Sequence, residues 1–204
     1  MYEEEIDMKI IYGTTNKNKI KEMQTYFNDY NMELISLKDI DFNDEIVEDG
    51  ETFLENSLIK AKKIKDFCNQ KGLNYPILTD DAGLCVEALN NRPGVHTARY
   101  AGDHAPQIDN INKMLFELKD ETNRNATFFC ALTFVYHDEF IQVEGFKKGN
   151  IALEAGTLGG FTFGPLFIPE GFDKPYNDLV HFETHRHDAI NRLIKVLKEK
   201  KIID

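Results

Sequence analysis

The first half of the chain alternates between short apolar runs and stretches with helical periodicity. The run KIIYG at 9–13 predicts a buried strand, and a capping box formed by Thr52 and Glu55 predicts that a helix begins at Thr52. The apolar residues that recur at helical spacing are Ile20, Met23, Phe27 and Tyr30 in a first helix, and Leu54, Leu58, Ala61, Ile64 and Cys68 in the second.

The second half continues the same alternation. The run PIL at 76–78 predicts another short buried strand, and residues 125–153 read as two long strands that turn at 137–139, the first of them apolar on both faces. This order predicts an α/β fold with a mixed sheet and flanking helices, in two lobes. Helices are expected to open at Pro106, with Ile108, Ile111, Leu115 and Leu118 on one face, and at about Thr184.

Composition and charge narrow the class of protein. Hydrophobic residues make up 42% of the 204 residues and charged residues 29%, which is typical of a globular domain. No apolar run reaches the ~20 residues that cross a bilayer, so we expect no membrane segment. The net charge of −11 argues against nucleic-acid binding. We expect residues 1–7, MYEEEID, to be an acidic extension and residues 8–204 to be a single domain; three scattered cysteines predict a cytoplasmic location.

Two adjacent carboxylates, Asp80 and Asp81, follow the predicted strand at 76–78. Their charges repel unless a cation lies between them or one of them is protonated. The carboxyl end of a strand is also where open α/β sheets bind ligands. An Asx-turn that caps the next segment is the alternative, but one aspartate suffices for such a turn. We therefore favour a functional role for the pair.

The segment GTTNKNK at 13–19 joins the first strand to the first helix. A helix N-terminus supplies free N–H groups and a positive dipole end, which suits a phosphate group. Thr14, Thr15, Asn16 and Lys19 are therefore candidate phosphate ligands. An ordinary capped turn with a solvated lysine is the alternative, and the local sequence alone favours that alternative.

Glu48, Asn56 and Lys60 form a third group around the start of the second helix. Asn56 and Lys60 lie one helical turn apart. In a functional interpretation, Glu48 holds a metal ion and Lys60 holds a phosphate group. A solvated amphipathic helix explains the same pattern without a ligand, and this segment alone favours that alternative.

Three histidines, His181, His185 and His187, lie in the segment HFETHRHD. The first two would lie one turn apart on a helix, a spacing found in zinc sites, but no third and fourth ligand follow at a fixed spacing. In the alternative interpretation, Thr184 caps the last helix. His185 and Arg186 then lie at its exposed N-terminus as donors to a ligand.

Taken in this order, the segments resemble the inosine triphosphate pyrophosphatase family, also called XTP/dITP diphosphatases. The resemblance rests on TTNKNKIKE, GETFLENSLIKA, LTDDAGLCVEALNNRPGVHTARYAG and THR, and it spans about residues 9–197. It implies an elongated mixed sheet in two lobes around a central cleft, and a homodimer. It also implies Mg²⁺-dependent hydrolysis of nucleoside triphosphates such as ITP, dITP and XTP to the monophosphate and pyrophosphate.

The resemblance implies roles for individual residues as well. Asp81 would accept a proton from the attacking water, and Glu48 and Asp80 would join it at the Mg²⁺ ion. The residues that match substrate-binding positions are Thr14, Thr15, Asn16, Lys19 and Lys60 for the phosphates, Ala82 after the aspartates, Phe161 and Phe163 for stacking on the base, and His185 and Arg186 for reading it.

Two positions depart from the family pattern on the base-reading side. Gly164 stands where the family has an aspartate, and Val180 stands where it has a lysine. We therefore expect weaker discrimination among bases. One alternative is the same reaction on a pyrimidine or modified base; another is a nucleotide-binding protein that has lost turnover. The retained Asp81 argues against the second, because a binding protein has no need of a carboxylate that activates water.

Overall fold

The computed structural model describes residues 8–180 and 182–203. The acidic extension expected at 1–7 and the candidate zinc ligand His181 lie outside the described residues. The strands are β1 (Met8–Tyr12), β2 (Met32–Ser36), β3 (Ile77–Val86), β4 (Arg92–Pro93), β5 (Asn125–Tyr136), β6 (Glu139–Ile151) and β7 (Phe167–Pro169). The α-helices are α1 (Lys17–Phe27), α2 (Phe53–Lys71), α3 (Gln107–Glu117) and α4 (His185–Glu199).

The described strands form one mixed sheet in the order β2-β1-β3-β5-β6-β7, with β4 paired to β3. Strand β1 runs parallel to β2 and to β3, with Ile11 opposite Ile77 in the second pairing. Strand β4 is antiparallel to β3, and β7 is antiparallel to β6. The mixed α/β fold predicted from the sequence is confirmed. None of the helices in the described part of the chain is both long and apolar enough to span a membrane.

The chain divides into two compact units, each built from several segments. The first unit contains the described residues of 8–81, 131–144 and 189–203, and the second contains 82–130 and 145–188. A core cluster of the first unit includes Ile11, Leu37, Phe42, Ala61, Ile64, Cys68, Ile77 and Val135. A core cluster of the second unit includes Leu84, Tyr100, Met114, Phe128, Phe163, Phe167 and Tyr176.

Helix α2 begins as the capping box predicts. Thr52 is its N-cap: its hydroxyl accepts a hydrogen bond from the Glu55 N–H at 3.1 Å, and the Glu55 carboxylate accepts one from the Thr52 N–H. The predicted apolar stripe is wrong in its first two turns, because the buried positions there are Phe53, Asn56, Ser57 and Lys60, while Leu54 and Leu58 are only half-buried. The helix thus turns polar side chains inward.

Four other predictions have different outcomes. The turn between β5 and β6 at 137–138 and the start of α4 after Thr184 are confirmed. Helix α3 forms after Pro106, but Ile108 is exposed and Met114 is buried in its place. The predicted strand at 76–78 is too short, since β3 continues to Val86. Asp80 and Asp81 therefore lie within a strand and not at its end.

Candidate active site

Asp80 is buried in the first unit and is held by two side chains. The hydroxyl of Tyr12, the last residue of β1, donates to Asp80 Oδ1 at 2.8 Å. The Nζ of Lys19, in the first turn of α1, lies 3.2 Å from Asp80 Oδ2. Because β1 and β3 are parallel and adjacent, the end of β1 and the start of α1 meet β3 at this point.

Asp81 has different contacts from its neighbour. Asn56 Nδ2 donates to Asp81 Oδ2 at 3.0 Å, and Asn56 Oδ1 accepts from the Gly50 N–H at 2.8 Å. Burial raises the pKa of Asp81 to about 6, although the positive charge of Lys60 and the Asn56 hydrogen bond act in the opposite direction. A carboxylate with this pKa is mostly ionised at neutral pH and is still basic enough to take up a proton.

Lys60 is buried on α2, and its Nζ donates to Glu48 Oε2 at 2.8 Å. Burial lowers the pKa of Lys60, but the charges of Asp80, Glu48 and Asp81 raise it by more, so the pKa lies above its usual value. The ammonium group therefore stays protonated. The alternative interpretation of α2, a solvated helix with Lys60 in water, is wrong.

We call Glu48, Asp80 and Asp81, together with Lys19 and Lys60, the charged cluster. It combines three carboxylates with two lysines, and one oxygen of Glu48 and one of Asp80 already contact a lysine. In the described part of the chain, no group of three His, Cys, Asp or Glu side chains is arranged as a ready metal site. The cluster is thus an ion-pair network whose partners can be exchanged for those of a ligand.

The loop between β1 and α1 follows the predicted capped turn. The Asn16 N–H donates to Thr14 Oγ1 at 3.1 Å, and the Lys19 N–H lies 3.4 Å from Asn16 Oδ1. Thr15 and Asn16 are exposed. The lysine, however, is only partly solvated, because its ammonium group contacts Asp80. This loop therefore forms a capped turn and also places Lys19 in the charged cluster.

Buried hydroxyl groups fix the strand that carries the aspartates. Thr79 Oγ1 donates to the carbonyl oxygen of Ser57 at 2.7 Å, and the hydroxyls of Ser57 and Thr133 lie 2.8 Å apart. Thr79 and Ser57 are fully buried. These contacts join β3 to α2, the two elements that carry Asp81 and its partners Asn56 and Lys60.

A second group of candidate residues lies in the second unit. The guanidinium carbon of Arg186 is 4.7 Å from the centre of the Phe161 ring, and the His185 ring lies 5.2 Å from it. His185 also stacks on Phe128 at 4.8 Å, with an angle of 13° between the rings. We call Phe128, Phe161, His185 and Arg186 the aromatic cluster. Flat rings and a guanidinium group are able to stack on a nucleotide base.

The cap of α4 is as predicted, but its exposure is not. The His187 N–H lies 3.3 Å from Thr184 Oγ1. His185 is only 1% exposed and Arg186 only 5% exposed, so the expected exposed N-terminus is wrong. The reason is the aromatic packing of Phe128 and Phe161 around them.

Phe163 needs a correction. Its ring is 0% exposed and packs edge-on against Tyr100 at 6.0 Å between ring centres, inside the core of the second unit. A ring in this place fills the core and has no face to offer to a base. Of the other positions in this unit, Ala82 is half-buried on β3, and Val180 is 80% exposed.

Sequence reasoning missed several residues that hold the site. The apolar pattern predicts only a strand core for Tyr12 and only an apolar strand for Phe128. A signal for Tyr12 was available, because it ends a strand that directly precedes the polar loop. Phe128 gives no signal, since nothing in an apolar run shows which ring a histidine will stack on.

A mixed α/β fold with lysines and carboxylates gathered beside one strand is typical of enzymes that act on phosphate groups. The sequence profile of the Ham1 family matches residues 10–197 of this chain. The chain therefore belongs to the Ham1 family, which confirms the resemblance inferred from the four sequence segments.

Comparisons with individual proteins support the same family. The chain is 34% identical over 194 residues to a dITP/XTP pyrophosphatase of Clostridium tetani, covering 93% of this chain and 96% of the relative. It is 37% identical over 195 residues to a dITP/XTP pyrophosphatase of Bacillus subtilis, covering 92% and 96%. The solved structure of a HAM1 protein from Coxiella burnetii matches with a TM-score of 0.83 and 33% identity, covering 94% of this chain and 99% of that one.

Proposed function

We propose that this protein is a nucleoside triphosphate pyrophosphatase that hydrolyses substrates such as ITP, dITP and XTP to the monophosphate and pyrophosphate. The observation that carries the proposal is the charged cluster, in which two lysines and a carboxylate with a pKa of about 6 lie together. Lysines suit a triphosphate, and a carboxylate of this basicity suits the activation of water.

Asp81 acts as the general base in this proposal. It takes a proton from a water molecule whose oxygen attacks the α-phosphorus. The bond between that phosphorus and the bridging oxygen of the β-phosphate breaks, and pyrophosphate leaves with the bond's electron pair. Asn56 holds Asp81 Oδ2 at 3.0 Å and so orients the carboxylate. A general base contributes about 10²–10⁴-fold to the rate.

Lys19 and Lys60 bind the phosphates, aided by Thr14, Thr15 and Asn16. Each lysine now contacts one carboxylate oxygen, of Asp80 or of Glu48. The negative oxygens of a triphosphate compete for the same ammonium groups. Substrate binding therefore releases carboxylate oxygens of the cluster for another cation.

Mg²⁺ suits the chemistry of these side chains, because carboxylate oxygens are the protein ligands that this ion prefers, and release of the lysines would free the oxygens to bind it. Glu48, Asp80 and Asp81 would hold it. When bound, the ion neutralises charge on the phosphate oxygens. The requirement for a metal and its identity are part of the proposal.

The aromatic cluster binds the base in this proposal. Phe161, which is half-buried, supplies the ring face, and His185 and Arg186, which pack against that ring, supply hydrogen-bond donors. Their mutual packing pre-orders them, which reduces the entropy lost on binding. Ala82 adds a backbone position beside Asp81, and Phe163 is not included.

A panel of triphosphates tests the proposal. Release of pyrophosphate and of the monophosphate is measured for ITP, XTP, dITP, ATP, GTP and UTP with Mg²⁺ present. The expected result is pyrophosphate and monophosphate in equal amounts from at least one of ITP, dITP and XTP. Release of inorganic phosphate instead, or no turnover with any of them, would contradict the proposal.

The same reaction on a different base is the second candidate. It is favoured by Gly164, which presents no side chain, and by the exposed Val180, which carries no charge. Preference for UTP or for a modified nucleotide in the panel would support it. Tight binding without turnover would instead support the nucleotide-binding protein.

Three further predictions stay proposals. We propose a homodimer, to be checked by light scattering of the full chain, and a single folding domain over 8–204, to be checked by a single cooperative unfolding transition. A cytoplasmic location is proposed on the three free cysteines, Cys68, Cys85 and Cys130. Cell fractionation checks that location.

A further inference from the structure

A glycine-rich loop in the second unit, residues 156–164, is held by side chains from two other segments. The first is Gln107, at the start of α3. Its Nε2 lies 2.9 Å from the carbonyl oxygens of Gly159 and Phe161 and 3.2 Å from that of Thr162. In return, the Gly159 N–H donates to Gln107 Oε1 at 2.8 Å. We call residues 156–164 the glycine loop.

The second holding side chain is Asn177, in the short 3₁₀-helix Tyr176–Asp178. Its Nδ2 donates to the carbonyl oxygens of Thr157 at 2.8 Å and Gly159 at 2.7 Å. The carbonyl of Gly159 therefore accepts from two carboxamides, those of Gln107 and Asn177. Asp178 adds one contact, since the Thr157 N–H lies 3.2 Å from its Oδ1.

Asn177 also fills the space beside Gly164. A Cβ atom built at Gly164 would collide with Asn177 Oδ1, at a separation that real Cβ atoms essentially never show. Gly164 does not have a left-handed backbone, so its glycine is required by space and not by conformation. A side chain at position 164 and the present position of the Asn177 carboxamide exclude each other.

The glycine loop carries Phe161, the ring on which Arg186 and His185 lie. Gln107 contacts the backbone carbonyl of Phe161. The carbonyl of Gly159, two residues before Phe161, accepts hydrogen bonds from both Gln107 and Asn177. The position of the Phe161 ring therefore depends on contacts that Asn177 helps to make. Asn177 itself is half-buried and is not part of the aromatic cluster.

We propose that Asn177 is a positioning residue for base binding: it holds the glycine loop, and through it Phe161, in the volume that Gly164 leaves open. The pair works only as glycine at 164 with asparagine at 177. The expected effect of Asn177 on substrate binding rests on the proposed function. Its effect on the glycine loop rests on the hydrogen bonds alone.

A double-mutant cycle tests the pair. Asn177→Ala removes the two hydrogen bonds, and Gly164→Ala adds the methyl group that collides with Asn177. Each single variant should lower kcat/KM for the best triphosphate of the panel by about ten- to a hundredfold, mainly by raising KM, because a group that positions the substrate has moved. In the double variant the methyl group enters space that Asn177 has left, so the two losses should not multiply.

Two controls separate positioning from damage to the rest of the protein. The inhibition constant of inorganic tripolyphosphate, which has no base, should stay within about twofold in every variant. Asn74→Ala, a substitution at an exposed asparagine of the first unit, should leave kcat/KM unchanged. Unchanged kcat/KM in Asn177→Ala, or losses that multiply in the double variant, would overturn the inference.

Hydrogen–deuterium exchange tests whether Asn177 holds the glycine loop, and it does not require turnover. If the protein hydrolyses no triphosphate, the proposed function has failed, but the role of Asn177 in the loop can still be measured. Exchange of the segment 156–164 should quicken in each single variant and no further in the double variant, because the carbonyl oxygens of Thr157 and Gly159 lose the Asn177 donor and the loop opens more often. Exchange equal to that of the unmodified protein would refute the role of Asn177.

Discussion

Tyr12 and Asp80 form a hydrogen bond of 2.8 Å between the phenolic oxygen and Oδ1, and both side chains are almost fully buried, at 0% and 2% exposure. The other carboxylate oxygen, Oδ2, lies 3.2 Å from Lys19 Nζ. Asp81 next to it contacts Asn56 instead. The two adjacent carboxylates are thus separated by their partners, which is how the strand accommodates both charges.

Tyr12→Phe should destabilise the protein by about 1–3 kcal/mol, because it removes a 2.8 Å hydrogen bond to the buried carboxylate of Asp80. Urea denaturation monitored by circular dichroism measures the free energy of unfolding. Tyr75→Phe, at an exposed tyrosine, is the matched control. Equal stability of Tyr12→Phe and the unmodified protein would show that this bond contributes nothing.

Asp81→Asn should lower the rate of hydrolysis by about 10²–10⁴-fold while the protein stays folded, because the amide cannot accept the proton of the attacking water. The measurement is kcat with the best triphosphate, alongside a circular dichroism spectrum. Asp49→Asn, at an exposed aspartate next to Glu48, should keep its activity. A parental rate in Asp81→Asn would show that another group is the base.

The stability of the metal-free protein should depend on pH through Asp81. Its pKa in the folded state is about 6, above the usual 3.8, so the folded state binds this proton more tightly than the unfolded state does. The contribution is fully present below pH 3.8 and is lost as pH rises through 6, by on the order of 1–3 kcal/mol. The free energy of unfolding, measured at pH 4.5 and 8 in a chelator, should fall less between these values in Asp81→Asn.

Lys60→Met should shift the acidic limb of the kcat/KM profile to higher pH. The Lys60 charge lowers the pKa of Asp81, so its removal raises that pKa further. The same change leaves Glu48 without its 2.8 Å partner, but the Glu48 side chain is 35% exposed, so we expect a loss of stability of only about 1 kcal/mol. Lys62→Met, at an exposed lysine of the same helix, is the control. An unshifted limb would mean that Asp81 does not set it.

Activity should require a divalent cation and should return when Mg²⁺ is added after chelation. Mg²⁺ should also raise the melting temperature of the unmodified protein more than that of Asp81→Asn, because a cation stabilises the state to which it binds. Differential scanning fluorimetry across a Mg²⁺ series measures this shift. Full turnover in excess chelator would contradict the prediction.

The ratio of kcat/KM for ITP to that for ATP should be smaller than about 10⁴, the discrimination reached by a site with many groups that hydrogen-bond the base. Gly164 offers no side chain, and Val180 is exposed and uncharged. The ratio of kcat/KM values for ITP, XTP, ATP, GTP and UTP measures it. Strong selectivity that disappears in Asn177→Ala would show instead that the glycine loop carries the reading function.

Much of the fold could be predicted from the sequence, because the order of strands and helices follows from apolar spacing and from local signals such as the Thr52 capping box. The length of β3 could not, since Asp80 and Asp81 interrupt the apolar run although the strand continues to Val86. A prediction from apolar spacing ends a strand where charged residues begin, so it fails for a strand whose charged residues are buried.

The candidate site was predictable where the chemistry is carried by charge, as in Asp81 and Lys60. It was not predictable where burial decides. Phe163 and Phe161 look alike in the sequence, yet one is core and the other faces Arg186. The role of Asn177 arises only when the chain brings residues 157 and 159 against it.

The collision between Asn177 Oδ1 and any side chain at position 164 also bears on how the gene that encodes this chain changes over generations. A lineage that first gains a side chain at 164, or first loses Asn177, passes through an intermediate with a loosened glycine loop. Each first step is selected against, and a later change at the other position does not restore the two hydrogen bonds that Asn177 makes. We expect single substitutions at either position to be rare, because each of the two residues restricts what the other can become.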